Sequence, residues 1–572
     1  MNLVWNQPTR RKQILFWVLL LGLIAAGAFL RLWNLGAPSF WVDEVEFWSA
    51  SQSWLDTGEL TMESGYLYER APLYSYVTAL FFKIAGAGET TTRLTAALFG
   101  ILSLFLVYVL ARHLFSRRTA LMAVFLASFS HFEIGWARTA RMYTLLQFFT
   151  LLLAYAFIRG FEAVGERGLF PEPGGLLPQR NPEKSPFWRR WGIRPLWFLG
   201  FLLIGFAAYY YVHMLALFVF FSLFVYCGFM ALVYLVMNQS REKFLNKYSL
   251  AFFGGLAVLL LAVAAVPVLR EMAGHFFSYT PPWAESQASA LNRLALMEFL
   301  IEGYRFPLAA LFFIGMVQIF FRGRKRASTL IFLFLVPLFL LSFVFTHRVA
   351  VYIYNVYPMF LIIAAFGFIQ ILEREEEILK KWMQGIREKG FETGRGLMKT
   401  APFLLMVVLL SVFVFSPWFR ISLNIPFHGD GFTNMAVSFS EWREGSRMVL
   451  EEREAEDLVL ASLPATTSYY GLKADYTLNW SLLLQAQDKE YRNEADRWID
   501  FYAGVVCIES LVELEDIVSS NPRGWIILNR YHFEHTDYMP EAVRQFLLNR
   551  MGEPAETARK TVLVFHWEEE SQ

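Results

Sequence analysis

The feature that most limits how this chain can fold is the recurrence of apolar runs long enough to cross a bilayer. About 17 to 25 mainly apolar residues make one transmembrane helix. Such runs stand near 13–30, 94–111, 119–137, 142–158, 195–212, 214–237, 248–269, 306–321, 327–346, 351–371 and 401–418. Eleven spans are therefore expected, in an α-helical polytopic membrane protein that has the lipid bilayer as its first partner. The composition agrees, since 56% hydrophobic against 18% charged residues is more apolar surface than one soluble core can hide. A net charge of +1 gives no reason to expect a nucleic-acid partner. Cys227 lies in an apolar run and Cys507 in the polar C-terminal part, so no disulfide framework is implied.

One apolar stretch, "PLYSYVTALFFKIAG" at 72–86, is too short to span, contains Lys83 and opens with a proline. It reads as a juxtamembrane helix inside a long first loop. The distribution of charge tests that reading. If 72–86 does not cross, the N-terminal Arg10, Arg11 and Lys12, the Arg112/Arg117/Arg118 turn, and the basic loops 159–194, 241–247, 322–326 and 372–400 all share one side. The positive-inside rule makes that side the cytoplasm. The N-terminus is then inside. Residues 31–93, the turns 133–141 and 346–355, the loop 270–305 and everything after 420 are outside. Hydropathy falls after 420, and short strands ("DLVLA", "WIILN", "TVLVFHW") alternate with helical patterns. That predicts two parts, a membrane-embedded part over 1–419 and a small external α/β domain over 420–572.

The outer face then carries an unusual set of polar groups. Asp43 and Glu44 sit among aromatic rings just beyond the first span, and charges so close to hydrocarbon are usually functional. Arginines 70, 138, 141, 293, 305 and 348 lie on the side that the topology disfavours for basic residues, which suggests an anionic ligand there. Phe40, Trp41, Phe47 and Trp48 admit two readings, packing against a ligand or an interfacial aromatic belt.

The order "FWVDE", "YERAPLYSY", "ARTARMYTLL", "YYYVHMLAL", each at a matching topological position, resembles the polyprenyl-phosphate-sugar glycosyltransferases of the membrane-embedded C-type fold. Protein O-mannosyltransferases and the bacterial enzymes that add aminoarabinose to lipid A belong to that family. The resemblance covers roughly residues 13–370. It implies a lipid-phosphate-linked sugar as donor, an unidentified acceptor, an extracytoplasmic site and displacement with inversion. On that reading Asp43 is the general base, and Glu44 either orients it or is a solvated neighbour. Arg70, Arg138, Arg141, Tyr143 and Arg348 are candidates for binding the donor phosphate, because arginine makes charge-assisted, often bidentate contacts with such oxygens. Glu69 and His213 match positions that hold a divalent metal, zinc or similar, in the lipid A enzymes. The alternative is a substrate contact for Glu69 and an interfacial hydrogen bond for His213. The loop departs from the family pattern at Thr139, where an acidic residue is common. Glu133 is a substitute, an interfacial residue, or a partner of Arg138 or Arg141. A transporter or a non-catalytic receptor are the other classes; the first lacks paired broken helices, and the second leaves the first-loop carboxylates without a role.

Overall fold

The computed structural model describes residues 10–162, 194–238, 246–265, 294–301, 305–321, 324–345, 349–388 and 440–568. By length and composition six described segments can cross a membrane: Gln13–Leu32, Glu89–Leu114, Tyr143–Gly160, Ala216–Val236, Arg326–Val344 and Ala350–Arg374. Their outward faces carry large apolar side chains such as Leu15, Leu21 and Phe105. That arrangement is costly in water and natural in lipid.

In chain order, α1 (Arg10–Leu32) is followed by α2 (Val42–Thr57), α3 (Pro72–Ala85) and α4 (Glu89–Leu114). Helix α5 (Arg117–Phe129) meets α6 (His131–Ala137) at Ser130 with a bend of 58°, and the pair adds a seventh candidate crossing. Then come α7 (Tyr143–Gly160), α8 (Pro195–Tyr211), α9 (Ala216–Asn238), α10 (Lys247–Ala265), α11 (Ala295–Ile301), α12 (Arg305–Phe321), α13 (Lys325–Phe339) and α14 (Tyr357–Glu388). Helices α8 and α12 are apolar but only 17 residues long. The run at 401–418 lies outside the described residues. Of the eleven expected spans, six therefore meet the criterion, or seven with the bent pair.

Helix α3 starts on Pro72, whose missing N–H costs nothing at a helix start, and stops at Gly86 with φ 83°. Fourteen residues rise about 21 Å, short of a bilayer's hydrocarbon thickness. It lies against α2 and α4 with Tyr74, Thr78 and Phe82 buried. Farther along, α12 and α14 come into backbone contact at two glycines: a Cβ on Gly315 would strike the Ile363 carbonyl, and one on Gly367 the Leu311 carbonyl.

Residues 440–568 form a six-stranded sheet with helices on both faces. The strands are β1 (Leu458–Ala461), β2 (Tyr476–Thr477), β3 (Val506–Cys507), β4 (Arg523–Asn529), β5 (Ala555–Glu556) and β6 (Val562–Glu568), in spatial order β3-β2-β1-β4-β6-β5. The first four are parallel, and β6 runs antiparallel between β4 and β5. Leu460, Ile526 and Phe565 bury one face and Val459, Ile527 and Val564 the other. Coverage on both sides explains why these strands read as unbroken apolar runs. The boundary expected near 420 falls outside the described residues.

This α/β module seats on the loop after α1 and on α2. Tyr470 accepts from the Phe40 N–H (2.6 Å) and donates to Glu89 (2.5 Å). Arg443 pairs with Glu89 (2.5 Å) and donates to the Gly36 and Ala37 carbonyls. Rings of Tyr469 pack on Phe40 and Trp48.

Candidate active site

Helix α2 begins where α1's following loop turns back, and its first two turns carry three carboxylates with different surroundings. Glu44 is buried. It accepts from Arg93 Nε and Nη2 (2.8 and 2.7 Å), from the Ala140 N–H (2.7 Å) and from the Trp41 N–H (3.3 Å). Arg93, also buried, spends its remaining donors on the carbonyls of Leu35, Pro38 and Ser39. Of the two expectations for Glu44, the solvated neighbour is therefore corrected: the side chain is buried, with its lone pairs occupied in tying α2 to α4 and to the 138–142 loop.

Asp43 differs. Its side chain is 22% exposed and pairs with Arg141 Nη1 at 3.1 Å. Three residues on, one helical turn along the same face, stands Glu46, which the sequence reading passed over. It is fully buried, accepts from the Tyr68 hydroxyl at 2.8 Å, and faces Arg70 at 3.6 Å and Arg141 at 3.7 Å, all through Oε2. Burial, and then Asp43, push its carboxyl up to about 7 against the pull of Arg70, Arg141 and Tyr68. The signal that would have found it is the i, i+3 spacing from Asp43.

Arg141 thus bridges two carboxylates, with its guanidinium 5.7 Å from the ring centres of Phe47 and Tyr143. Burial works against its charge, but Asp43, Tyr143 and Glu46 raise its pKa well above the ordinary value. Arg70 is more than half exposed at the side chain and held charged by Glu46. It is presented by a turn whose next residue, Ala71, has φ 45°, a left-handed conformation that a non-glycine residue adopts at some cost. Tyr143 opens α7, with its ring 6.0 Å from that of His213.

Arg138 does not join this group, which corrects its assignment as a phosphate ligand. Its fork reaches back to the carbonyls of Leu30 (3.2 Å), Trp33 (2.5 Å) and Asn34 (3.3 Å), the acceptors left open where α1 ends. Glu133 does not pair with Arg138 or Arg141 either; it accepts from Gln147 (2.9 Å) and Tyr354 (3.3 Å) inside the bundle. Arg348 and Arg293 lie outside the described residues.

The metal expectation meets two obstacles. His213 Nδ1 accepts from the Leu215 N–H at 3.0 Å, which puts the ring proton on Nε2 and leaves a donor rather than a ligand lone pair there. Burial, followed by Arg141 and Arg70, lowers the imidazole to about 4, so the charges that weigh on it are cationic. Glu69 is exposed. No group of three or more His, Cys, Asp or Glu suited to a metal occurs among the described residues. Glu69 and His213 do not fit a shared ion, and no step below is routed through one.

What the geometry assembles is a partly open carboxylate at the start of α2, two arginines just before α3 and α7, and a neutral imidazole N–H just after α8. Residues 69–169, which hold Arg70, Arg141 and Tyr143, match the family model described as dolichyl-phosphate-mannose-protein mannosyltransferase. No curated protein matches the chain by sequence. Among solved structures, ArnT from Cupriavidus metallidurans in the apo state superposes with a TM-score of 0.54 at 14% identity, over 98% of both chains. The same protein bound to undecaprenyl phosphate gives 0.50 at 13%, again over 98% of both. The archaeal oligosaccharyltransferase AglB from Archaeoglobus fulgidus, in complex with an inhibitory peptide and a dolichol-phosphate, gives 0.50 at 11%, over 97% of this chain and 74% of that one. The chain thus shares the fold of ArnT and AglB, and its segment 69–169 matches the mannosyltransferase family model.

Proposed function

We propose that the protein moves a sugar from a polyprenyl-phosphate donor to an acceptor hydroxyl or amine in one inverting displacement. The observation that carries this is the Asp43–Arg141 pair, a solvent-reached carboxylate held 3.1 Å from a buried, permanently charged guanidinium. Asp43 takes the acceptor's proton as the acceptor attacks the anomeric carbon. The bond from that carbon to the phosphate oxygen breaks, and the polyprenyl phosphate leaves. Arg141 and Arg70 stabilise the charge that grows on the leaving phosphate, and the Nε2–H of His213 offers a further neutral donor. Tyr143, packed against both Arg141 and His213, keeps the two aligned.

The distribution of charge supports one side of the membrane for the site. Arg159, Arg194 and Arg326 surround His113 at the far end of the bundle from Asp43, and Arg324 lies over Phe115 and Phe366 there. Under the positive-inside rule that end is cytoplasmic. The site and the α/β module are then extracytoplasmic.

The test is transfer from radiolabelled polyprenyl-phosphate sugars by purified protein in lipid. Asp43→Asn keeps the side chain's size and removes the proton acceptor, so turnover should fall about 100-fold or more, with donor binding retained. Full activity in Asp43→Asn would reject Asp43 as the base.

A further inference from the structure

Of the carboxylates on α2 that face arginines, Glu46 is held unlike the others. Glu44 has donors on both oxygens, with Arg93 at 2.8 and 2.7 Å. Glu46 is as deeply buried, but everything that reaches it comes to Oε2: the Tyr68 hydroxyl at 2.8 Å, Arg70 at 3.6 Å and Arg141 at 3.7 Å. Its Oε1 is enclosed and has no partner among the described residues. Charge-assisted contacts between arginine and carboxylate close to about 2.7–2.9 Å. Both arginines therefore stand off from Glu46, near enough to feel its charge and too far to be tied to it. A buried carboxylate with one bare oxygen and two distant cations is poorly stabilised as an anion.

The charged and titratable neighbours of Glu46 are Asp43 on the same face of α2, Tyr68 and Arg70 on the turn before α3, Glu63 earlier in that loop, Arg141 before α7, and Tyr502 of the α/β module. Asp43 and Glu46 together balance Arg70 and Arg141. A phosphodiester brought to the same arginines adds a third anion in a largely desolvated place, where like charges resist being ionised together. The group that gives way is the one least supported. Burial, and then Asp43, already push the Glu46 carboxyl up to about 7 against Arg70, Arg141 and Tyr68.

We propose that Glu46 is a positioning residue: as an anion it gathers Arg70 and Arg141 around one oxygen, and it yields them to the donor phosphate by taking up a proton. The proposal rests on the glycosyltransferase reading above and adds a proton to its donor-binding step. That proton comes from solvent as the lipid phosphate binds and returns there when it leaves. Neutral Glu46 no longer competes for the guanidinium groups, whose charge then faces the phosphate oxygens alone, and the cluster keeps its balance of charge.

The experiment measures binding of polyprenyl-phosphate mannose to the full chain in detergent at pH 5.5, 7 and 8.5. A diester is the probe because a phosphate monoester itself titrates near about pH 6. With the carboxyl at about 7 and only its protonated form competent, about 3% of the protein is competent at pH 8.5, so affinity should fall about 30-fold between pH 5.5 and 8.5. Calorimetry at pH 8 in two buffers of different ionisation heat should count about one proton taken up per lipid bound. Glu46→Gln, neutral at every pH, should bind at pH 8.5 about as tightly as wild type does at pH 5.5. Asp43→Asn should keep the inflection and move it to lower pH, because it removes one cause of the raised carboxyl. A flat wild-type profile with no proton taken up overturns the proposal, and that comparison needs no variant. A folded Glu46→Gln that keeps the wild-type slope overturns it too. Failure of the lipid to bind at any pH overturns the donor reading, and the proposal with it.

Discussion

Two neighbouring carboxylates, Asp43 and Glu44, should respond in opposite ways to the same kind of substitution. Glu44→Gln removes one charge from a pair in which both side chains are buried, 5% and 2% exposed, at 2.7 Å. The amide nitrogen would also face the donors of Arg93 or of Trp41, leaving at least one of them unmet. Breaking a buried pair by removing one partner costs about 3–5 kcal/mol, a large share of the total for a domain of ordinary stability. Asp43→Asn leaves Arg141 its contact with Glu46 and touches a partly hydrated group, so its cost should stay near about 1 kcal/mol. The assay is thermal or SDS-induced unfolding of purified protein, followed by tryptophan fluorescence, with transfer activity measured in parallel. Glu44→Gln should lower the midpoint markedly and lose activity in proportion to unfolding. Asp43→Asn should unfold as the wild type does and yet be nearly inactive. Combining Glu44→Gln with Arg93→Met should cost less than the sum of the two, since the second change removes the stranded charge. Equal stability of Glu44→Gln and wild type would refute the assignment of Glu44 to the scaffold.

Other outcomes follow from the same geometry. Chelators should leave transfer unchanged. His213→Ala should weaken undecaprenyl phosphate binding by the worth of one hydrogen bond to a charged group, about 1.5–3 kcal/mol, and donor affinity should show no His213 inflection between pH 5.5 and 8, because its imidazole titrates near 4. Glu46 has a folded pKa raised to about 7, so the fold favours its protonated form; its contribution to stability is present at low pH and lost as pH rises through 7. Glu46→Gln should therefore gain stability relative to wild type at pH 8 and lose that advantage near pH 5, as read from the two unfolding midpoints. Tyr470→Phe combined with Arg443→Ala should loosen the α/β module from the loop before α2, seen as faster proteolytic release of the module with its own fold intact.

Hydropathy made much of the bundle legible, and it set α3 apart from the spans because length is a physical limit that a single chain displays. The positions of Asp43, Arg70, Arg141, Tyr143 and His213 in chain segments that meet at one end were legible too, since loops on one side of a membrane must converge. What an individual arginine does there was not. Arg138 and Arg141 are three residues apart on one loop, yet the first is consumed by carbonyls left open at the end of α1 and the second faces carboxylates. That difference depends on where α1 stops relative to the loop, a tertiary fact. The same holds for Glu44, whose partner Arg93 is 49 residues away on α4. Tyr470 comes to Phe40 and Glu89 from more than 380 positions away, through a docking that no local pattern announces.

The placement of β6 has a consequence for how the protein is made. This strand, residues 562–568, sits inside the sheet between β4 and β5 rather than at its edge. The ribosome delivers it after β4 and after every described candidate membrane span. Until it arrives, β4 has an open edge, and the module that packs on Phe40 and Trp48 has no finished sheet. The segments bearing Asp43 and Arg141 are made long before. Until β6 is made, the protein would hold its reactive groups beside an unfinished sheet.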